Sequence, residues 1–170
     1  MQGDVNWSVY YENAYFCTIE TKLRSFQIKL FLKCIVLNRT LYGFGLVDSE
    51  MCDLCNAAAE DVLHLFYYCP FTKAFWDEVR HWIQLVTRDT ETTIGVKECI
   101  LVTVGVRACS FINSVLLVAR FFIYRCKFMK LKPTFDVFFL FLKDVKKTEK
   151  MIAYKNGKSH KHKEKWAPLQ

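Results

Sequence analysis

The feature that most constrains this chain is a group of soft metal-ligand residues at close spacing: Cys52-Asp53-Leu54-Cys55, eight residues, His64, four residues, then Cys69. Three thiols and one imidazole suit a zinc ion, which takes four such ligands in a tetrahedron. Two residues between Cys52 and Cys55 let both sulfurs face one ion from a tight turn. His64 and Cys69 need another arrangement, because five residues along an α-helix rotate a side chain by roughly 140°. The helix is therefore expected to end between them. Pro70 supplies the reason, since proline disfavours helical geometry in the residue before it and lets Cys69 swing back toward the metal. A short helix over 60–66 would then present His64. Four protein ligands leave no open position for water or substrate, so such a site contributes folding energy and not catalysis. The competing reading makes the three cysteines ordinary buried thiols and His64 a satisfied core histidine, because eight cysteines in 170 residues make a chance Cys-x-x-Cys pair easy. His81 is a substitute ligand that its mid-helix position disfavours.

Hydrophobic residues make up 52% of the sequence, with 6 Gly and 3 Pro against 15 Phe, 8 Tyr and 4 Trp, and no internal repeat is present. That balance predicts a mainly α fold, a small helical domain organised around the zinc site. Residues 1–6 are polar and lead into no apolar cleavage-type segment, so the expected location is intracellular, nuclear or cytoplasmic, and not secretory. In a reducing compartment the cysteines are thiols and metal ligands, not disulfides. Cys17, Cys34, Cys99, Cys109 and Cys126 stand alone among apolar neighbours and are assigned to packing. The apolar stretch 99–124 is interrupted by Arg107 and Arg120, leaving about 12 uncharged residues. A spanning helix needs roughly 20, so the stretch reads as core helix and no membrane partner is expected.

Ile19, Leu23, Phe26, Leu30, Cys34 and Leu37 step by three or four and predict an amphipathic helix. Lys22, Arg24, Lys29 and Lys33 fall outside that stripe, as a solvated face or a phosphate-facing one. Residues 38–45 read as a break, with Gly43 and Gly45 allowing turn geometry. Phe71, Phe75, Trp76, Val79, Trp82, Ile83 and Val86 mark a second helix behind Pro70, and 89–95 a loop. A short helix over 96–104 leads through Gly105 into a longer one, with Ser110 as a candidate N-cap and an end near Lys130. Pro133 stops it. Thr134 is the candidate cap of a last helix whose apolar positions are Phe135, Phe138, Phe139, Leu142, Val145 and Ile152. Three units follow: a zinc-binding helical domain over 1–88 with its site at 52–69, apolar helices over 89–154 packed as a continuation, and a basic disordered tail over 155–170.

The net charge of +7 is unevenly placed, with 9 Lys/Arg against 13 Asp/Glu in residues 1–98 and 15 against 4 in residues 99–170. A basic second half points to a polyanion, nucleic acid before an acidic membrane, although a solvated Lys-rich end has the same composition. The residues expected to meet phosphate are Lys143, Lys146, Lys147 and Lys150, with Lys155, Lys158, Lys161, Lys163 and Lys165 beyond them. No His-Glu-x-x-His, glycine-rich phosphate loop or serine nucleophile elbow occurs, and no adjacent Asp-Asp pair is present to bridge two catalytic metals. An enzyme is not expected.

Residues 23–30, Asn38, Asp48-Ser49, Cys52-x2-Cys55, Glu60, His64-Leu65-Phe66, Cys69-Pro70 and Phe75-Trp76 together resemble the zinc-binding segment that follows the reverse transcriptase in non-LTR (LINE-class) retrotransposons. The similarity continues through residues 122–127, the Pro133 break and Trp166. It implies zinc held by Cys52, Cys55, His64 and Cys69, and a region that helps a polymerase hold element RNA or target DNA during target-primed reverse transcription. The polymerase and endonuclease motifs of the full family protein are missing, which implies a fragment or an orphaned remnant. Two functions follow: a non-catalytic, zinc-stabilised nucleic-acid-binding module, or an interaction domain whose aromatics Trp7, Tyr10, Tyr11 and Tyr15 pack on a polymerase partner. A retroviral zinc knuckle is disfavoured, because eight residues separate Cys55 from His64 where that motif has four, and no aromatic lies between them to stack a base.

Overall fold

The computed structural model describes residues 12, 15–101 and 110–169, and among them it is mainly helical, with one isolated antiparallel bridge between Met51 and Ala59 in place of strands. Trp7, Tyr10, Tyr11, Gly105, Arg107, Cys109 and the end of the helix expected over 96–104 lie outside the described residues.

Helix α1 (Thr21–Phe31) buries Leu23, Phe26 and Leu30 as their spacing predicts. It stops earlier than the apolar stripe, because Lys33 takes a left-handed φ of 55°. Cys34, expected in the core, is therefore exposed. The expected break at 38–45 is instead a second helix, α2 (Asn38–Gly43), and only Gly45 uses a left-handed turn conformation, at φ 68°. The signal for α2 is not local: the Glu60 carboxylate accepts the Asn38 backbone N–H at 3.0 Å, a cap supplied from 22 residues away.

Helix α3 (Pro70–Thr87) starts with proline at its first position and buries Phe75, Trp76, Val79 and Ile83. After the loop that ends at Gly95 comes α4 (Val96–Ile100), whose first turn is closed by Glu98 accepting the Gly95 N–H at 2.9 Å. Helix α5 (Ser110–Met129) is the central element, buried along most of its length and packed against α1, α4 and the next helix, α6 (Phe135–Lys155). Thr134 occupies the N-cap position of α6 without a side-chain cap bond. Phe75, Phe122 and Phe138 form a triangle with centroids 5.3–5.8 Å apart. Such ring pairs contribute about 0.5–1.5 kcal/mol each beyond their buried area.

Arg120 explains how a charge sits in the middle of an apolar helix. Its guanidinium donates to Gln27 Oε1 on α1 at 2.9 Å and to the Glu98 and Leu101 carbonyls at 2.8 and 2.7 Å. It closes the C-terminal end of α4, where a cation is favoured by the exposed carbonyl dipoles. Burial pushes its pKa down to about 10, so it stays charged at neutral pH. The expectation that this stretch is core helix holds for its described part, and among the described residues no helix is long and apolar enough to cross a membrane.

Residues 155–169 depart from expectation. In place of a disordered tail the chain reverses at Gly157 (φ 65°), forms α7 (Ser159–Lys165) and ends in a 3-10 turn over Ala167–Leu169. Trp166 is 1% exposed and packs edge-on against Phe111 on α5. Its indole N–H donates to Glu149 on α6. That buried carboxylate also accepts the Thr18 hydroxyl and the Ile19 N–H, and pairs with the Lys165 ammonium. One acid thus joins residues 18–19 to residues 165–166. Composition pointed to disorder because the lysines outnumber the apolar residues here; one large aromatic and one buried acceptor outweigh them.

Trp166→Ala is expected to destabilise the fold by about 3–5 kcal/mol, read as a Tm lowered by on the order of 10 °C in thermal unfolding. An unchanged Tm would mean that the C-terminal turn does not pack as described.

Candidate metal centre

Two short elements build the centre. The first is a knuckle over 50–60, closed by the Cys52 N–H on the Ala58 carbonyl at 2.9 Å, the Glu60 N–H on Glu50 at 2.8 Å and the Asn56 N–H on Cys52 at 2.8 Å. Asn56, at φ 52°, makes the left-handed turn that lets Cys52 and Cys55 face the same point.

The second element settles the geometry of His64 and Cys69. His64–Tyr68 is a π-helical turn, not the α-turn expected over 60–66. The Cys69 N–H donates to the His64 carbonyl at 2.8 Å, a bond that spans five residues in one turn. Widening the turn by one residue removes the rotation that an α-helix would impose, and Cys69 then leaves the helix with extended geometry (φ −60°, ψ 128°) before Pro70, as expected. Asp61 closes the front of the turn by accepting the His64 N–H at 2.8 Å. Carbonyls that a π-turn leaves unused are taken up by α3: Thr72 Oγ1 donates to Leu65 at 2.9 Å and Trp76 Nε1 to Phe66 at 2.8 Å.

These elements bring the Sγ atoms of Cys52, Cys55 and Cys69 and a ring nitrogen of His64 within 4.8 Å of one another, with Cys55 Sγ 3.2 Å from His64 Nε2. In a tetrahedral site with Zn–S bonds of about 2.3 Å, neighbouring sulfurs lie about 3.8 Å apart, so the group has the size of a single zinc shell. Its donors are soft, as that ion prefers. The Cys52 S–H and the N–H groups of Thr72 and Phe71 at the start of α3 hold the Cys69 thiol below its ordinary range, and the same pairing together with burial pushes the Cys52 thiol up. A cation bound by these thiols displaces their protons. His81 lies exposed on α3, outside the group.

A buried polar clamp holds the knuckle on the helical core. Lys127, from α5, reaches Asp53 Oδ2 at 2.8 Å, Glu60 Oε1 at 2.9 Å and Asn38 Oδ1 at 2.9 Å. Glu60 closes the circuit by accepting the N–H groups of Asn38 and Asp53, and Asn38 donates to the Met51 carbonyl at 2.8 Å. Burial would push the Asp53 carboxyl up and the Lys127 ammonium down. The hydrogen bonds between them win in both cases, holding Asp53 low and Lys127 high. Sequence spacing did not reveal this clamp: Asn38, Glu60 and Lys127 are far apart in the chain and carry no motif. Their only signal was that each fell inside the resemblance to retroelement zinc segments.

The lysines separate into two groups. Lys143, Lys147 and Lys150 on α6, and Lys155, Lys158, Lys161 and Lys163 around the turn into α7, are exposed. Lys146 and Lys165 are turned inward, Lys146 donating to the Leu169 carbonyl at 2.9 Å and Lys165 to the Cys17 carbonyl at 2.8 Å as well as pairing with Glu149. Both are structural in this fold. Of the isolated cysteines, Cys17, Cys99 and Cys126 are buried as expected. Lys22, Lys29 and Lys33 are exposed, and Arg24 donates to the Thr18 and Tyr15 carbonyls.

Lys127→Ala leaves Glu60 buried without its cation and is expected to cost about 3–5 kcal/mol in urea unfolding. The clamp's contribution is present above the ordinary carboxylate range and is lost as pH falls through the lowered Asp53 pKa. At the other end it is lost as pH rises through the raised Lys127 pKa. A pH-stability profile flat across the acid limb, with Asp53→Asn indistinguishable from wild type, would refute that assignment.

No curated protein and no solved structure matches the chain. Residues 2–76, which run into the second turn of α3 and contain all four candidate ligands, match the family described as zinc-binding in reverse transcriptase, to which this part of the chain is similar.

Proposed function

We propose that the chain is a non-catalytic nucleic-acid-binding module, in which Cys52, Cys55, His64 and Cys69 hold one structural zinc and the α6–α7 lysines contact phosphate. The observation that carries the reading is the exposed row of Lys143, Lys147 and Lys150 on α6, continued by Lys155, Lys158, Lys161 and Lys163. Such a surface neutralises a phosphate backbone without reading sequence. The zinc shell has no place for substrate, and its role is to fix the knuckle whose clamp orients α5 and, through it, α6. The setting is that of a fragment or remnant of a non-LTR retroelement protein, in keeping with the similarity of residues 2–76.

Elemental analysis should find one zinc per chain, lost in Cys52→Ser along with cooperative unfolding; a folded, metal-free wild type would remove the ligand assignment. Binding to RNA or DNA should weaken steeply with salt, and Lys147→Glu with Lys150→Glu should flatten the log-log slope by about 0.7–0.9 per lysine. A slope near zero would end the electrostatic reading. In that case the alternative gains, an interaction domain that packs on a polymerase through exposed aromatics, of which Tyr15 is one.

A further inference from the structure

The exposed lysines are not spread evenly over α6. Lys143, Lys147, Lys150 and Tyr154 follow one another at steps of four, three and four, which puts them on one face of the helix over about 16 Å. Tyr154 is 79% exposed at the end of that row. It lies with Met151 in a groove of about 900 Å³ between α6 and α7, whose other lining includes Lys147, Lys150, Lys155 and Lys163. The open ring of Tyr154 and the exposed thioether of Met151 therefore stand directly beside the lysine row. Cations alternating with an open ring and a polarizable thioether are what an unpaired nucleic acid strand requires: charge along its backbone and a flat apolar surface for its bases.

The groove is also held in shape before anything binds. His162 on α7 lies 3.0 Å from the Lys146 carbonyl, Lys146 reaches the Leu169 carbonyl, and Trp166 and Lys165 both meet Glu149 on α6. The two walls are thus tied by buried and half-buried contacts. A preformed groove binds without the ordering cost that a disordered basic tail would carry.

We infer that this groove is a binding site for single-stranded nucleic acid, with Tyr154 stacking an unpaired base and Lys147, Lys150, Lys155 and Lys163 contacting the flanking phosphates. The inference rests on the nucleic-acid reading above and narrows it: a duplex hides its base faces and can use the lysines but not the ring.

The test is fluorescence anisotropy of the full zinc-loaded chain with labelled oligo(dT), oligo(rU) and a hairpin duplex of equal phosphate number. Both single strands should bind more tightly than the duplex. Tyr154→Ala should weaken single-strand binding by about 5- to 150-fold and leave duplex binding unchanged, while Tyr154→Trp keeps the preference. Zinc content and circular dichroism of Tyr154→Ala should match wild type, since the ring is outside the core. Equal affinity for duplex and single strand, with Tyr154→Ala without effect and the salt slope intact, overturns the single-strand site and leaves the electrostatic module standing. Equal competition by poly-glutamate would likewise reduce the groove to a general polyanion surface. If no probe binds in a salt-dependent way, both readings fall together.

Discussion

Lys127 brings a full positive charge into the interior, where it meets Glu60, Asp53 and Asn38 within 2.9 Å. A buried ion pair is tolerated only when its remaining hydrogen-bonding capacity is met, and here the carboxylate of Glu60 also caps α2 and holds the knuckle N–H of Asp53. The same few atoms therefore determine where α2 begins, how the metal knuckle sits and how both lie on α5. Removal of any one partner leaves the others uncompensated in a low-dielectric site. This makes the clamp the part of the molecule on which the orientation of the metal centre depends.

The π-turn plays the complementary role within the centre. Its five-residue hydrogen bond shifts the pairing of the turn by one residue and leaves carbonyls to be satisfied elsewhere. Thr72 and Trp76 do this from the next helix, so Trp76 serves both as a core residue and as the donor that stabilises an unusual turn. Zinc ligation and helix packing are thereby coupled: the backbone that presents His64 and Cys69 cannot relax without freeing the Trp76 indole. Coupling of this kind is expected where metal binding supplies folding free energy and not chemistry.

A parallel logic holds at the opposite end of the molecule. Glu149 gathers Thr18, Ile19, Lys165 and Trp166, joining residues near the two ends of the chain through one buried acid. Glu149 turns Lys165 inward, the Leu169 carbonyl does the same for Lys146, and the remaining lysines stay outside, while the contacts of Glu149 hold α7 on α6 beside Tyr154.

Much of this was legible in the sequence because it is local. Apolar positions at helical steps located α1, α3 and α6, an apolar stretch stopped by Pro133 located α5, Pro70 marked both the start of α3 and the exit of Cys69, and four soft ligands at short separations defined the metal group. What the tertiary structure alone decided is non-local. The cap on α2 comes from Glu60, the partner of Glu60 comes from α5, and the order of residues 159–169 comes from Trp166 finding Phe111 and Glu149. Periodicity records which face of an element is apolar, but a buried charge and a basic terminal helix have no period. Their placement depends on partners tens of residues away, and only the folded chain brings those partners together.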